Sequence, residues 1–173
     1  RSADQPPMKE LRYSVLVMPD KFKGTLTSSE AARAIVRGLR HAWPQARFTR
    51  ATLADGGEGF AAALARATGG KPHRCASVDA AQRPCRAAWS LLGDGRTAVF
   101  DLAAASGLAQ LPFALRDPLR MSTFGSGLVL RRTLAAGVAK ILIGLGGSAS
   151  NDGGIGLAAA LGWKFLDRHG EEI

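Results

Sequence analysis

At 173 residues, with 46% hydrophobic but only 6% aromatic side chains, the chain is long enough to bury a real core, in one domain or in two small ones. No run approaches the roughly 18 uncharged apolar residues of a membrane span. Residues 1–7 lack an apolar stretch, so the sequence reads as cytoplasmic with no membrane partner. The net charge of +9 permits nucleic-acid binding, but the 23 basic residues are mostly arginines scattered without aromatic interleaving. Arg33, Arg37 and Arg40 fall on one helix face opposite the apolar one, so a solvated face and no nucleic-acid partner are expected.

Residues 1–7 read as a leader or expression scar, with Met8 as the natural start. Tyr13 to Met18 is a short buried strand ended by Pro19, and Asp20-Lys21-Phe22-Lys23-Gly24 is a loop. Thr27 followed by Glu30 predicts a capping box. It opens a helix whose face carries Ala32, Ile35, Val36, Leu39 and Trp43, and Pro44 ends it. Phe48 to Leu53 is a second strand. Ala54-Asp55-Gly56-Gly57-Glu58-Gly59 then leads into an alanine-rich helix closed by Gly69-Gly70. Strand, loop and helix, twice over, predict a parallel sheet with flanking helices.

The rhythm then changes. His73 to Asp79, Cys85 to Leu92 and Thr97 to Leu102 are strand-like runs without intervening helices, with Gly93-Asp94-Gly95 as a hairpin turn. They predict a mixed or antiparallel α/β subdomain. A helix is expected from Ser126 to Ala136, stopped by Gly137, then a strand from Ala139 to Leu145, a glycine-rich loop to Gly154, a helix from Ile155 to Leu161 and a strand from Trp163 to Leu166. The expected organisation is 8–70 as a first α/β segment, 71–115 as a mixed-strand segment and 116–173 as an α/β segment ending in half a hairpin. An unpaired hairpin suggests a fragment of a longer chain.

Three acidic loops, at Asp20, Asp55 and Asp152, each follow a predicted strand. In a parallel α/β sheet such loops lie at the carboxyl ends of the strands, where ligands bind, so in one sheet the three carboxylates would face one cleft. Glycine in each loop permits close backbone approach, and Lys21 and Lys23 can balance phosphate charge. The longest loop, Gly144 to Gly154, can turn backbone N–H groups toward a phosphate; Gly146, Gly147, Ser148 and Asn151 are the candidates. It satisfies the dinucleotide spacing G-x-G-x-x-G/A, but Asn151 to Gly154 would occupy the first helical turns, where two glycines cost about 1 kcal/mol each. No Walker A motif is present. Cys75 and Cys85 lack a metal-ligand spacing and read as reduced and structural, and His41, His73 and His169 as surface or structural. Trp43, Trp89 and Trp163 read as core.

In this order, Pro19-Asp20-Lys21-Phe22-Lys23-Gly24-Thr25-Leu26, Ala54 to Gly59, Ala103-Ala104-Ala105-Ser106-Gly107-Leu108 and Ile143 to Gly154 resemble the motifs of the type 1 glycerate kinase family. The resemblance runs from Met8 to Ile173 and corresponds to the N-terminal half of family members. Departures are Asp101 where glutamate is common, Phe124 where tyrosine is common and Ser150 where threonine is common. The resemblance implies two α/β domains, one flavodoxin-like (Rossmann-like) and one of mixed strands. It also implies ATP-dependent phosphorylation of D-glycerate, usually to the 2-phospho product, with Mg²⁺ as the accompanying ion; a homo-oligomer is compatible with the sequence. On that reading Gly146, Gly147, Ser148 and Asn151 hold a phosphate, and Asp152 or Asp55 takes the hydroxyl proton or ligates Mg²⁺. Asp20, Lys21 and Lys23 complete the catalytic set, and Glu58, Ser106, Thr123 and Ser126 are candidate substrate contacts. Ser106 is as well explained by helix packing, and Ser126 by a helix N-cap.

Overall fold

The computed structural model describes residues 13–22, 25–52 and 56–172. The chain divides between residues 53 and 54 into two compact units.

In the first unit β1 (Ser14–Val17) and β2 (Arg47–Arg50) pair in parallel, Val15 opposite Phe48 and Val17 opposite Arg50, joined by α1 (Ser28–Ala42). The expected capping box is present: the Glu30 N–H donates to Thr27 Oγ1 at 3.3 Å, and the Thr27 N–H donates to Glu30 Oε2 at 2.8 Å. Val17, Ala32 and Val36 form the core with Val15, Leu39 and Phe48 packed on it, whereas Ile35, expected on the same face, is exposed.

The second unit holds α2 (Phe60–Thr68), β3 (Lys71–Val78), β4 (Pro84–Leu91), β5 (Thr97–Asp101), α3 (Ala103–Ser106), α4 (Phe124–Leu134), β6 (Lys140–Gly144) and α5 (Ile155–Ala160). Its sheet order is β3-β4-β5-β6, antiparallel except for the parallel pair β5–β6. The α/β architecture is therefore the expected one, a parallel pair plus a mixed sheet. One expectation is corrected: β6 does not extend the sheet of β1 and β2 but lies beside β5. The acidic loops at Asp20 and Asp152 therefore follow strands of different sheets.

The pleat explains why β6 belongs there. On one face of the sheet Ala98 and Phe100 of β5 join Ala87, Trp89, Ala105 and Val129, with Ile141 and Ile143 of β6 packed against them. On the other, Val99 packs with Ala61 and Ala65 of α2 and with Leu142. β5 is buried on both faces, and β6, at the end of the sheet order, covers it with partly buried apolar side chains on each face. Trp89 is core, as expected, but Trp163 is 70% exposed. The strand expected from Trp163 is replaced by a turn in which Leu166 makes a single antiparallel bridge to Glu172 and the Asp167 carboxylate accepts the N–H groups of His169 and Glu171. Among the described residues no helix is long and apolar enough to cross a membrane.

Between β3 and β4, buried Asp79 accepts the N–H groups of Ala81 and Arg83 and the Arg83 side chain, whose nearer guanidinium contact is 2.6 Å. Burial pushes this carboxyl upward, but the Arg83 and Ala81 donors outweigh it and hold it below the usual carboxylate range.

Phe100 has no exposed surface, so Phe100→Ala is expected to remove about 3–5 kcal/mol of stability in urea unfolding; a loss below about 1 kcal/mol would contradict this core. The unfolded chain protonates Asp79 at a higher pH than the folded one. Its contribution is therefore complete above the unfolded value near 3.9 and is lost as pH falls through the lowered folded value. Asp79→Asn is expected to be less stable than wild type at pH 7, with the gap closing on acidification; a gap independent of pH would refute the assignment.

Candidate active site

β5 and β6 run in parallel with Asp101 opposite Gly144, so the loops that leave them emerge side by side at the carboxyl end of the sheet. They then pair with each other. Gly107 and Ser148 form an antiparallel bridge, the Leu108 N–H donating to the Gly147 carbonyl at 3.0 Å and the Ala149 N–H to the Ser106 carbonyl at 2.9 Å. On its other side the Gly144 loop touches the segment preceding α2, where the Gly146 N–H donates to the Gly56 carbonyl at 2.8 Å. A Cβ on Gly144 would lie 2.6 Å from the Gly56 carbonyl oxygen, and one on Gly146 2.6 Å from the Gly57 Cα. Backbone meets backbone there, and only glycine permits it. Three of the four motifs singled out from sequence thus converge within the second unit.

Asp101, at the end of β5, fixes the start of α2: its Oδ2 accepts the Gly59 N–H and its Oδ1 the Ala61 N–H, both at 2.8 Å. The residue was not among the sequence candidates. The available signal is its place as the last residue of a strand otherwise wholly apolar after Thr97, a position that in α/β sheets faces the ligand-binding edge.

Several polar groups remain open along the Gly144 loop. Gly147 has φ +79°, and its N–H and those of Ser148 and Asn151 meet no protein acceptor among the described residues. Ser148 Oγ lies 3.0 Å from Ser150 Oγ and accepts the Ser150 N–H at 3.2 Å, with the Ser148 residue half-buried. The Asn151 and Glu58 residues are exposed. Successive free N–H groups around a glycine of positive φ form a concavity suited to an anion.

Asp152 is occupied differently. Its Oδ2 accepts the Thr123 N–H at 2.7 Å, the Thr123 hydroxyl at 2.8 Å and the Gly156 N–H at 3.2 Å, and its Oδ1 accepts the Gly154 N–H at 3.1 Å. Burial pushes the carboxyl upward, but the donors of Thr123, Gly154 and Gly156 outweigh it and hold it below the usual range.

Ser106 and Ser126 show 0% exposure. Their hydroxyls lie 2.8 Å apart and Ser126 Oγ donates to the Leu102 carbonyl at 2.9 Å, joining α3 to α4. Thr123 is 4% exposed and faces Asp152. These three expected substrate contacts are turned into the protein of this chain; the packing reading of Ser106 fits, while Ser126 lies inside α4 and its N-cap reading does not. In the first unit Asp20 Oδ1 accepts the Lys21 N–H at 2.7 Å and Asp20 is exposed. Lys23 and Asp55 lie outside the described residues. Among the described residues no three His, Cys, Asp or Glu side chains gather as a metal cage. Asp152 Oδ2 is taken by three protein donors, and Asp55, the other candidate Mg²⁺ ligand, lies outside the described residues.

The Glycerate kinase family model matches residues 15–173. The chain is 43% identical over 159 residues to a glycerate kinase of Bacillus subtilis (strain 168) and 41% identical over 159 residues to a glycerate 2-kinase of Escherichia coli (strain K12). Each match covers 92% of this chain and 42% of the relative, so the chain spans less than half the length of the curated relatives it matches. A crystal structure from Salmonella typhimurium LT2 that carries a glycerate kinase 2 designation superposes with a TM-score of 0.74 at 42% identity, over 94% of this chain and 44% of that one. With the family model spanning the three converging loops and all but the first residues of the chain, this protein belongs to the glycerate kinase family.

Proposed function

We propose that the protein to which this chain belongs phosphorylates D-glycerate from ATP, giving 2-phosphoglycerate, and that the present residues form an amino-terminal part of it. The observation that carries the reading is the convergence of the Gly56–Gly59, Ala103–Leu108 and Gly144–Gly154 segments in a chain of the glycerate kinase family. In this reaction the C2 hydroxyl oxygen bonds to the γ-phosphorus, the bond to the β,γ-bridging oxygen breaks, ADP leaves and the hydroxyl proton passes to a carboxylate.

The N–H groups of Gly147 and Ser148, with the Ser148 hydroxyl and the Asn151 amide, hold phosphate oxygens as charge shifts during transfer. These donors are fixed before the ligand arrives, because the loop is anchored on both sides by backbone hydrogen bonds. Glu58, exposed on the segment docked to that loop, orients the glycerate hydroxyls. Asp55, the remaining candidate carboxylate of the second unit, is the proton acceptor.

In the full-length protein, a coupled assay is expected to show ADP formation that depends on D-glycerate, and phosphorus NMR a 2-phospho product; ADP formation indifferent to glycerate would overturn the reading. Ser148→Ala is expected to lower kcat about 10²-fold, the loss typical of one donor to developing charge. Gly146→Ala, which forces the two loops apart, is expected to lower kcat/KM at least as much. Normal kinetics in both variants would remove the loop from the reaction.

A further inference from the structure

Asp152 has the residue type and loop position of a catalytic base, yet its surroundings are those of a structural joint. We propose that Asp152 is a positioning residue which, together with Thr123, ties the start of α4 to the start of α5 and so holds the shape of the Gly144–Gly154 loop, without itself taking the substrate proton or ligating a metal. The inference rests on the kinase reading above.

The geometry carries it. A carboxylate offers about two acceptor sites on each oxygen; here Oδ2 is fully occupied by the Thr123 N–H and hydroxyl and the Gly156 N–H, and Oδ1 accepts the Gly154 N–H. A proton or cation arriving at Oδ2 would displace one of these donors and leave it unsatisfied, at a penalty of about 1–3 kcal/mol.

Thr123 transmits the restraint. Its hydroxyl donates to Asp152 Oδ2 and accepts the Leu157 N–H at 2.9 Å, so one side chain at the N-cap of α4 binds both the loop and the first turn of α5. Missing side chains let the helices approach: at their starts a Cβ on Gly156 would lie 2.7 Å from the Phe124 N and 2.9 Å from Asp152 Oδ2, and farther along one on Gly127 would lie 2.6 Å from the Ala160 Cβ at the end of α5. Asp152 directly follows Asn151, so whatever fixes its carboxylate also fixes where the neighbouring Asn151 side chain and the open N–H groups sit.

The test uses the full-length protein and the variants Asp152→Asn, Thr123→Val, Thr123→Ser and the double variant Asp152→Asn/Thr123→Val. Asp152→Asn and Thr123→Val are each expected to lower kcat about 10- to 100-fold, as misplacement of about an ångström does. The double variant is expected to be no worse than the poorer single, because both cut one joint. Thr123→Ser, which keeps the hydroxyl, is expected to stay within about 3-fold of wild type on the same ground. The acid limb of the kcat/KM pH profile is expected to be unchanged in Asp152→Asn, since the group that produces it is elsewhere. Loss of that limb, or a near-normal Thr123→Val beside an inactive Asp152→Asn, would overturn the proposal and make Asp152 the base. Amide hydrogen exchange at Gly154, Gly156 and Leu157 reads the joint without turnover. Faster exchange in Asp152→Asn and Thr123→Val supports the joint even where wild type proves inactive on glycerate. Unchanged exchange refutes the joint whatever the activity.

Discussion

The feature on which the rest of the second unit depends is the docking of the Gly144 loop by its own backbone. One edge is held by the Gly146 N–H on the Gly56 carbonyl, the other by the bridge between Gly107 and Ser148. A loop anchored by main chain on both sides keeps its remaining N–H groups in fixed directions, so a ligand that binds them does not first have to order them. The sheet supplies the frame. β5, buried on both faces, and β6, packed beside it, leave the core in parallel and deliver their loops to one edge.

Carboxylates organise the margins of this frame. Asp101 secures the segment before α2, and Asp152 secures the junction of α4 and α5. Both accept backbone N–H groups at the first turn of a helix, where such donors lack intrahelical partners. Acidic residues near a proposed phosphate cradle therefore have a physical reason to be present that involves no proton transfer: their charged form is stabilised by donors that the fold would otherwise leave unsatisfied. The open N–H groups of the glycine loop, by contrast, have no such partner among the described residues.

Much of this was legible in the sequence, and the limits were physical. The capping box of Thr27 and Glu30, the left-handed Gly69 closing α2 and the Gly93-Asp94-Gly95 turn all appear where short-range chemistry dictates them. The pairing of β6 was not legible, because an apolar run such as Ile141 to Ile143 fits any parallel neighbour and only the facing side chains decide which. The serines of the Ala103 and Thr123 segments looked like ligand contacts because residue type does not reveal burial; Ser106 and Ser126 instead bond each other inside the packing of α3 and α4. Asp152 was recognisable as important from its loop, but whether its oxygens were open depended on Thr123, 29 positions away in sequence. Trp163 shows the same limit from the other side, an aromatic residue whose exposure no local pattern announces.

On the proposed function, the open N–H groups of the glycine loop receive phosphate. The most direct measurement is a crystal structure of the full-length protein with a non-hydrolysable ATP analogue or phosphoglycerate bound. Phosphate oxygens are expected within hydrogen-bonding distance of the Gly147 and Ser148 N–H groups, with the Asp152 carboxylate still on Thr123. Phosphate bound elsewhere, with those N–H groups left to water, would contradict it.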